Sequence, residues 1–146
     1  MSNARLESER FRSSPRIGVA PRLDSLRVLV VDDDEDAREL LRALLESRGA
    51  DVLTASSVAD ALACLESCPD VIVSDIAMPE EDGFALVKRV RALSPEKGGN
   101  KPIVALSAYA AKSDRVRALT AGFNHYLHKP VDFEELVATI QSVAQK

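Results

Sequence analysis

The sequence predicts an α/β fold, a doubly wound parallel sheet of five strands with helices on both faces. Two observations carry this. Short apolar runs rich in Val and Ile ("RVLVV", "DVLTA", "DVIVSD", "PIVALS", "HYLH") recur from Leu26 onward, and each is followed by a segment whose apolar residues step by three and four. The runs are apolar on both faces, as in a sheet covered on both sides, and strict strand–helix alternation calls for parallel strands joined by right-handed crossovers.

Taken in order, the segment after "RVLVV" carries Ala37, Leu40, Leu41, Leu44 and Leu45 on one helical face. Val58, Ala61, Leu62 and Leu65 repeat the spacing after "DVLTA", and Leu86, Val87, Val90 and Leu93 after "DVIVSD". Val116 and Leu119 follow "PIVALS", and Leu136, Ile140 and Val143 follow "HYLH". Each set predicts an apolar stripe laid on the sheet. Gly49 and Gly122 stand where C-terminal caps belong, and Ser57, Ser113 and Asp132 where N-terminal caps belong.

The 146 residues, 46% apolar and 29% charged, fit one soluble domain with a short remainder. That remainder is residues 1–24, whose Ser, Arg, Pro15 and Pro21 read as a disordered tail or linker before a domain at 25–146. It holds five Arg against three acids, a net of +2 that leaves −6 of the −4 total for the rest. An acidic domain argues against a nucleic-acid surface. Cys64 and Cys68 have neither metal-site spacing nor further Cys partners and read as reduced thiols. No apolar stretch approaches the roughly 20 residues of a membrane span and no signal peptide is evident, so the expected location is the cytoplasm.

In open parallel sheets the ligand site lies beyond the carboxyl ends of the strands. The residues there are Asp32 and Asp33 after the first run, Asp75 after the third, Ser107 after the fourth, and Lys129-Pro130 after the fifth. Singly, an Asp or Ser in such a place could cap a helix and the Lys could be a solvated charge. Jointly they bring three carboxylates, a hydroxyl and an ammonium to one edge.

Clustered acids repel unless a cation sits among them, and a hard divalent ion with oxygen ligands meets that need. Mg²⁺ is the expected occupant, since Ca²⁺ calls for more protein ligands. An Asp with a metal on one side and a Lys on the other is a nucleophile toward phosphorus, with the Ser hydroxyl donating to a phosphoryl oxygen. Asp34, Glu35 and Asp36 instead begin a helix, where acids complement the dipole. His125 and His128 read as ordinary strand residues.

The stretches "VLVVDDDEDARELL", "VIVSDIAMPEEDGFALV", "IVALSAYA" and "HYLHKPVDFEEL" resemble the signature stretches of the receiver domain of two-component response regulators, over about residues 26–146. The resemblance implies the flavodoxin-like strand order 2-1-3-4-5. It also implies that Asp75 is the phosphoacceptor, that Asp33 and Asp75 ligate Mg²⁺ directly, that Asp32 holds a coordinated water, and that the backbone carbonyl of Ala77 is a further ligand. Ser107 and Lys129 then take the family's phosphate-binding places and Tyr126 that of the switch aromatic, turning inward from solvent. Lys129-Pro130 resembles the family's cis peptide.

Ala77 and Tyr109 occupy the family's tuning positions for the hydrolysis of the aspartyl phosphate. Ala cannot place an attacking water and Tyr can cover the phosphate, so hydrolysis is expected to be slow. The donor would be a histidine kinase or histidine phosphotransfer protein, met by the first helix through Arg38, Arg42 and Glu46. No independent enzyme is expected beyond catalysis of the domain's own phosphorylation and dephosphorylation.

Two readings compete. In a haloacid-dehalogenase-like phosphatase Asp32 and Asp34 would serve, but the chain lacks the cap insertion and late acidic pair of such enzymes. A receiver-like interaction module independent of phosphate would have no need of Asp32, Asp33, Asp75, Ser107 and Lys129 together. Within the receiver reading, the chain is either the C-terminal receiver of a hybrid histidine kinase or a free single-domain regulator.

Overall fold

The computed structural model describes residues 22–78, 81–109 and 111–144. Its strands are β1 (Arg27–Val31), β2 (Asp51–Ala55), β3 (Val71–Asp75), β4 (Ile103–Ser107) and β5 (His125–His128). The helices between and after them are α1 (Glu35–Ser47), α2 (Val58–Cys64), α3 (Gly83–Arg91), α4 (Lys112–Ala121) and α5 (Phe133–Ala144). All strand pairs are parallel, in the order β2-β1-β3-β4-β5. This is the flavodoxin-like order.

Side chains alternate across each strand, so the two faces of the sheet build two cores. Leu29, Val31, Ile72, Ile103 and Ala105 pack with Val58, Leu86, Val87, Val90 and Ala118 on one face. Val28, Val30, Val71, Val73, Val104 and Leu106 pack with Leu45, Leu136, Val137 and Ile140 on the other. Each fully buried Leu or Ile contributes about 1.5–3 kcal/mol by leaving water. This two-sided burial fixes the register, and with it the height at which each strand ends.

Most expected caps are present. Ser57 Oγ accepts from Asp60 N at 3.1 Å and Asp132 Oδ1 accepts from Glu134 N at 3.0 Å. Gly49 (φ +95°) and Gly122 (φ +123°) take left-handed conformations after α1 and α4. Ser113 is different: it is the second residue of α4, behind Ala111, which caps without a side-chain hydrogen bond. The helix begins two residues earlier than a serine cap at position 113 would place it.

The stripe expected on α4 also fails. Val116 and Leu119 are 53% and 42% exposed, and α4 meets the core through Ala118. Two apolar residues three apart do not fix which face of a short helix turns inward. Leu40 of α1 is likewise 60% exposed.

Of the expected tail, residues 1–21 lie outside the described residues. Leu23, however, belongs to the packed body. It is fully buried in the α1/α5 core and its N–H donates to the Arg48 carbonyl at 2.7 Å. At the end of α3, Arg91 donates to the carbonyls of Gly99, Lys101 and Gly122 and to Asn124 Oδ1, tying the chain before β4 to the turn before β5. Burial holds its pKa below the usual guanidinium value.

Candidate functional site

The parallel register sets the strand ends side by side. Val31 at the end of β1 lies opposite Ser74, and Asp75, the last residue of β3, lies opposite Leu106. Ser107 ends β4 opposite His128, which ends β5. Asp32 and Asp33 therefore leave the sheet beside Asp75 on one side, while Ser107 and Lys129 leave it on the other.

Asp32, Asp33 and Asp75 each offer a carboxylate oxygen, and these oxygens lie within 4.8 Å of one another. Lys129 Nζ is 3.1 Å from Asp75 Oδ1. Asp32 and Asp75 are buried, at 2% and 6% exposure, whereas Asp33 is exposed. Two of the three acids thus sit where water stabilises their charge least.

Asp32 is held at three points. Its N–H donates to the Ala55 carbonyl at 3.1 Å, its Oδ1 accepts from Asp34 N at 2.9 Å, and its carbonyl accepts from Arg38 Nη1 at 2.8 Å. Burial pushes its carboxyl pKa up, and the charges of Asp75 and Asp33 push the same way; the Asp34 N–H and Lys129 oppose them.

On the far side, Ser107 is buried and its Oγ accepts from Tyr109 N at 3.0 Å. The Tyr109 carbonyl in turn accepts from the Tyr126 hydroxyl. Tyr126 is buried, at 6% exposure, so the solvent-facing ring expected from the sequence is instead found turned inward. The Tyr109 carbonyl gives the buried Tyr126 phenol a partner that solvent would otherwise supply. A cavity of about 570 Å³ opens here between Ala77, Ser107, Tyr109 and Tyr126.

The loop after Asp75 packs closely. Gly83 N donates to the Ile76 carbonyl at 2.9 Å, and a Cβ on Gly83 would come within 2.9 Å of the Asp75 carbonyl oxygen and of Ile76 Cα. Asp82 caps α3 by accepting from Ala85 N at 3.0 Å. Lys129-Pro130 is cis. Residues 79–80 of this loop lie outside the described residues.

Asp32, Asp33, Asp75, Ser107 and Lys129 therefore meet at one edge of the sheet, with Ala77, Tyr109 and Tyr126 beside them. Two groups were missed or misplaced. Ser74, whose buried hydroxyl donates to the Asp75 carbonyl at 3.0 Å, carried no signal beyond being a serine in an apolar run. Arg38, expected on an open docking face, is half-buried and donates to the Asp32 backbone carbonyl, whereas Arg42 is exposed and pairs with Glu46 at 3.3 Å. His125 and His128 are the first and last residues of β5.

Residues 28–141 match the family described as the response regulator receiver domain. The chain belongs to this family. A curated relative from Leptolyngbya boryana, "Uncharacterized 14.6 kDa protein in sodA1 3'region", is 52% identical over 82% of this chain and 90% of its own length. The transcriptional regulatory protein PrrA of Mycobacterium tuberculosis is 42% identical over 84% of this receiver, which spans 51% of PrrA. The hybrid signal transduction histidine kinase D of Dictyostelium discoideum is 36% identical over 85% of this receiver, which spans 8% of the kinase. Among solved structures, the receiver domain of the Francisella response regulator 1452 superposes with a TM-score of 0.75 at 30% identity, covering 83% of this chain and 98% of that one. The chemotaxis protein CheY4 of Vibrio cholerae gives 0.74 at 33% identity, covering 81% and 98%. The receiver is similar to domains of two-component signalling, and the phosphatase reading has no counterpart among these matches.

Proposed function

We propose that this receiver takes a phosphoryl group onto Asp75 from a phosphohistidine of a histidine kinase or histidine phosphotransfer protein. The observation that carries this reading is the meeting of three carboxylates within 4.8 Å with the Lys129 ammonium 3.1 Å from Asp75 Oδ1. A carboxylate oxygen of Asp75 forms the bond to phosphorus as the donor's phosphorus–nitrogen bond breaks. The imidazole leaves with the electron pair and takes a proton from solvent.

An all-oxygen donor set with more negative than positive charge fits Mg²⁺. Asp33, Asp75 and the Ala77 carbonyl would ligate it directly and Asp32 through a water. When bound, the ion offsets charge on the carboxylates and on the transferring group. Lys129 stabilises the same developing charge from the other side, and the Ser107 hydroxyl donates to a phosphoryl oxygen.

To reach that oxygen Ser107 must move, and it shares a hydrogen bond with Tyr109, whose carbonyl holds Tyr126. The displacement passes along this path to β5 and to the faces of α4 and α5, where a downstream protein reads it. Because Tyr126 already lies inward, what changes is the position of Ser107 and Tyr109, which hold it. The tail or linker at residues 1–24, shortened by the burial of Leu23, suits either a receiver joined to a histidine kinase or a free regulator, in each case acting in the cytoplasm. No helix among the described residues is long and apolar enough to cross a membrane.

Incubation with acetyl phosphate, read by intact mass, tests the reading. The expected result is Mg²⁺-dependent addition of one phosphoryl group and none in Asp75→Asn. A folded protein that takes up no phosphate would instead be a phosphate-independent interaction module.

A further inference from the structure

The Arg38 guanidinium is a cation in the first turns of α1, close to the positive end of a helix dipole, where acids are the favoured residues. Dipole complementarity therefore does not explain it. Helical side chains lean back toward the N-terminus, and from this position Arg38 reaches over the first turn to the Asp32 carbonyl, which accepts from Nη1 at 2.8 Å. That carbonyl is half of the peptide joining Asp32 to Asp33. The Asp32 N–H and carboxylate are fixed by the Ala55 carbonyl and the Asp34 N–H. Arg38 adds a restraint on the carbonyl of the Asp32–Asp33 peptide, and through it on the direction in which Asp33 leaves.

Resting on the reading of the site as a Mg²⁺ site, we infer that Arg38 is a positioning residue for the metal, acting through the Asp32–Asp33 peptide and touching neither ion nor phosphate. Charge and geometry act here with opposite sign. Removing a positive charge from beside the acids strengthens cation binding if charge is all that Arg38 contributes. Losing the restraint weakens it, and groups that orient metal ligands typically matter by about 10- to 100-fold in affinity.

The test is a calorimetric Mg²⁺ titration of the full chain and of Arg38→Met and Arg38→Lys, with the melting temperature of each in the absence of metal. Arg38→Met keeps the apolar stem and removes the charge; Arg38→Lys keeps the charge and loses the planar fork. The expected result is binding roughly tenfold weaker or more in Arg38→Met and weaker binding in Arg38→Lys, each with a metal-free melting temperature close to that of the parent. If Arg38→Met does not fold, Arg38→Lys decides alone, since weaker binding at unchanged charge comes from geometry. Tighter or equal binding in Arg38→Met with equal binding in Arg38→Lys overturns the inference and leaves the metal site standing. Absence of Mg²⁺ binding by the parent chain overturns the reading of the site itself, and the inference with it.

Discussion

Lys129 Nζ lies 3.1 Å from Asp75 Oδ1, although the two residues are 54 positions apart in sequence. Asp75 is 8% exposed at its side chain and Lys129 35%, so the pair is half in water and its Coulomb energy is partly screened. Its significance is directional: the ammonium faces the one carboxylate that ends the central strand. Lys129→Met, which keeps the stem and removes the charge, should slow acetyl phosphate labelling by roughly tenfold or more, a modest value for loss of one charge-stabilising donor. Time-resolved mass spectrometry measures it.

Asp32 has its pKa raised first by burial, then by the charges of Asp75 and Asp33, against the opposing Asp34 N–H and Lys129. The native state therefore holds this proton more tightly than the unfolded chain. Its contribution to stability is full below the ordinary carboxylate value and is lost as pH rises through the raised one. Without metal, Asp32→Asn should melt a few degrees higher than the parent at neutral pH, and the difference should shrink as pH falls toward the ordinary carboxylate range. Thermal melts across pH in chelator check this, and a constant difference would contradict it.

Gly83 is placed so that any Cβ meets the backbone of Asp75 and Ile76 at 2.9 Å. Gly83→Ala should displace the loop that follows Asp75 and reduce labelling several-fold while the sheet remains folded. Circular dichroism alongside labelling separates the two effects.

Ala77 and Tyr109 are both exposed, Tyr109 by 58%, and both border the cavity beside Ser107. Ala77→Asn offers a group that can hold an attacking water, and Tyr109→Glu removes the ring that covers it. Either should speed loss of the phosphoryl group, by several-fold or more, in a chase after removal of the donor.

Much of this was legible because the fold is periodic. Five short apolar runs alternating with helical spacing give the sheet, and the residues that follow the runs include Asp32, Asp33, Asp75, Ser107 and Lys129. What was hidden depends on directions that spacing does not encode. The inward face of α4 is set by Ala118, which is too small to stand out from Val116 and Leu119 in a sequence. The inward Tyr126 depends on one carbonyl, that of Tyr109, and the placement of Arg38 on the backward lean of a helical side chain. Leu23 stands between Arg22 and Asp24 ahead of the first strand, outside any periodic run, and the Arg48 carbonyl and the α1/α5 core account for its burial.

The central claim is that Asp75, and neither Asp32 nor Asp33, forms the bond to phosphorus. Borohydride reduces an aspartyl phosphate to homoserine and leaves free carboxylates unchanged. Reduction of the acetyl-phosphate-labelled full chain, followed by peptide sequencing, should place homoserine at position 75 alone. Homoserine at position 32 or 33, or phosphoryl uptake that survives in Asp75→Asn, would contradict the account.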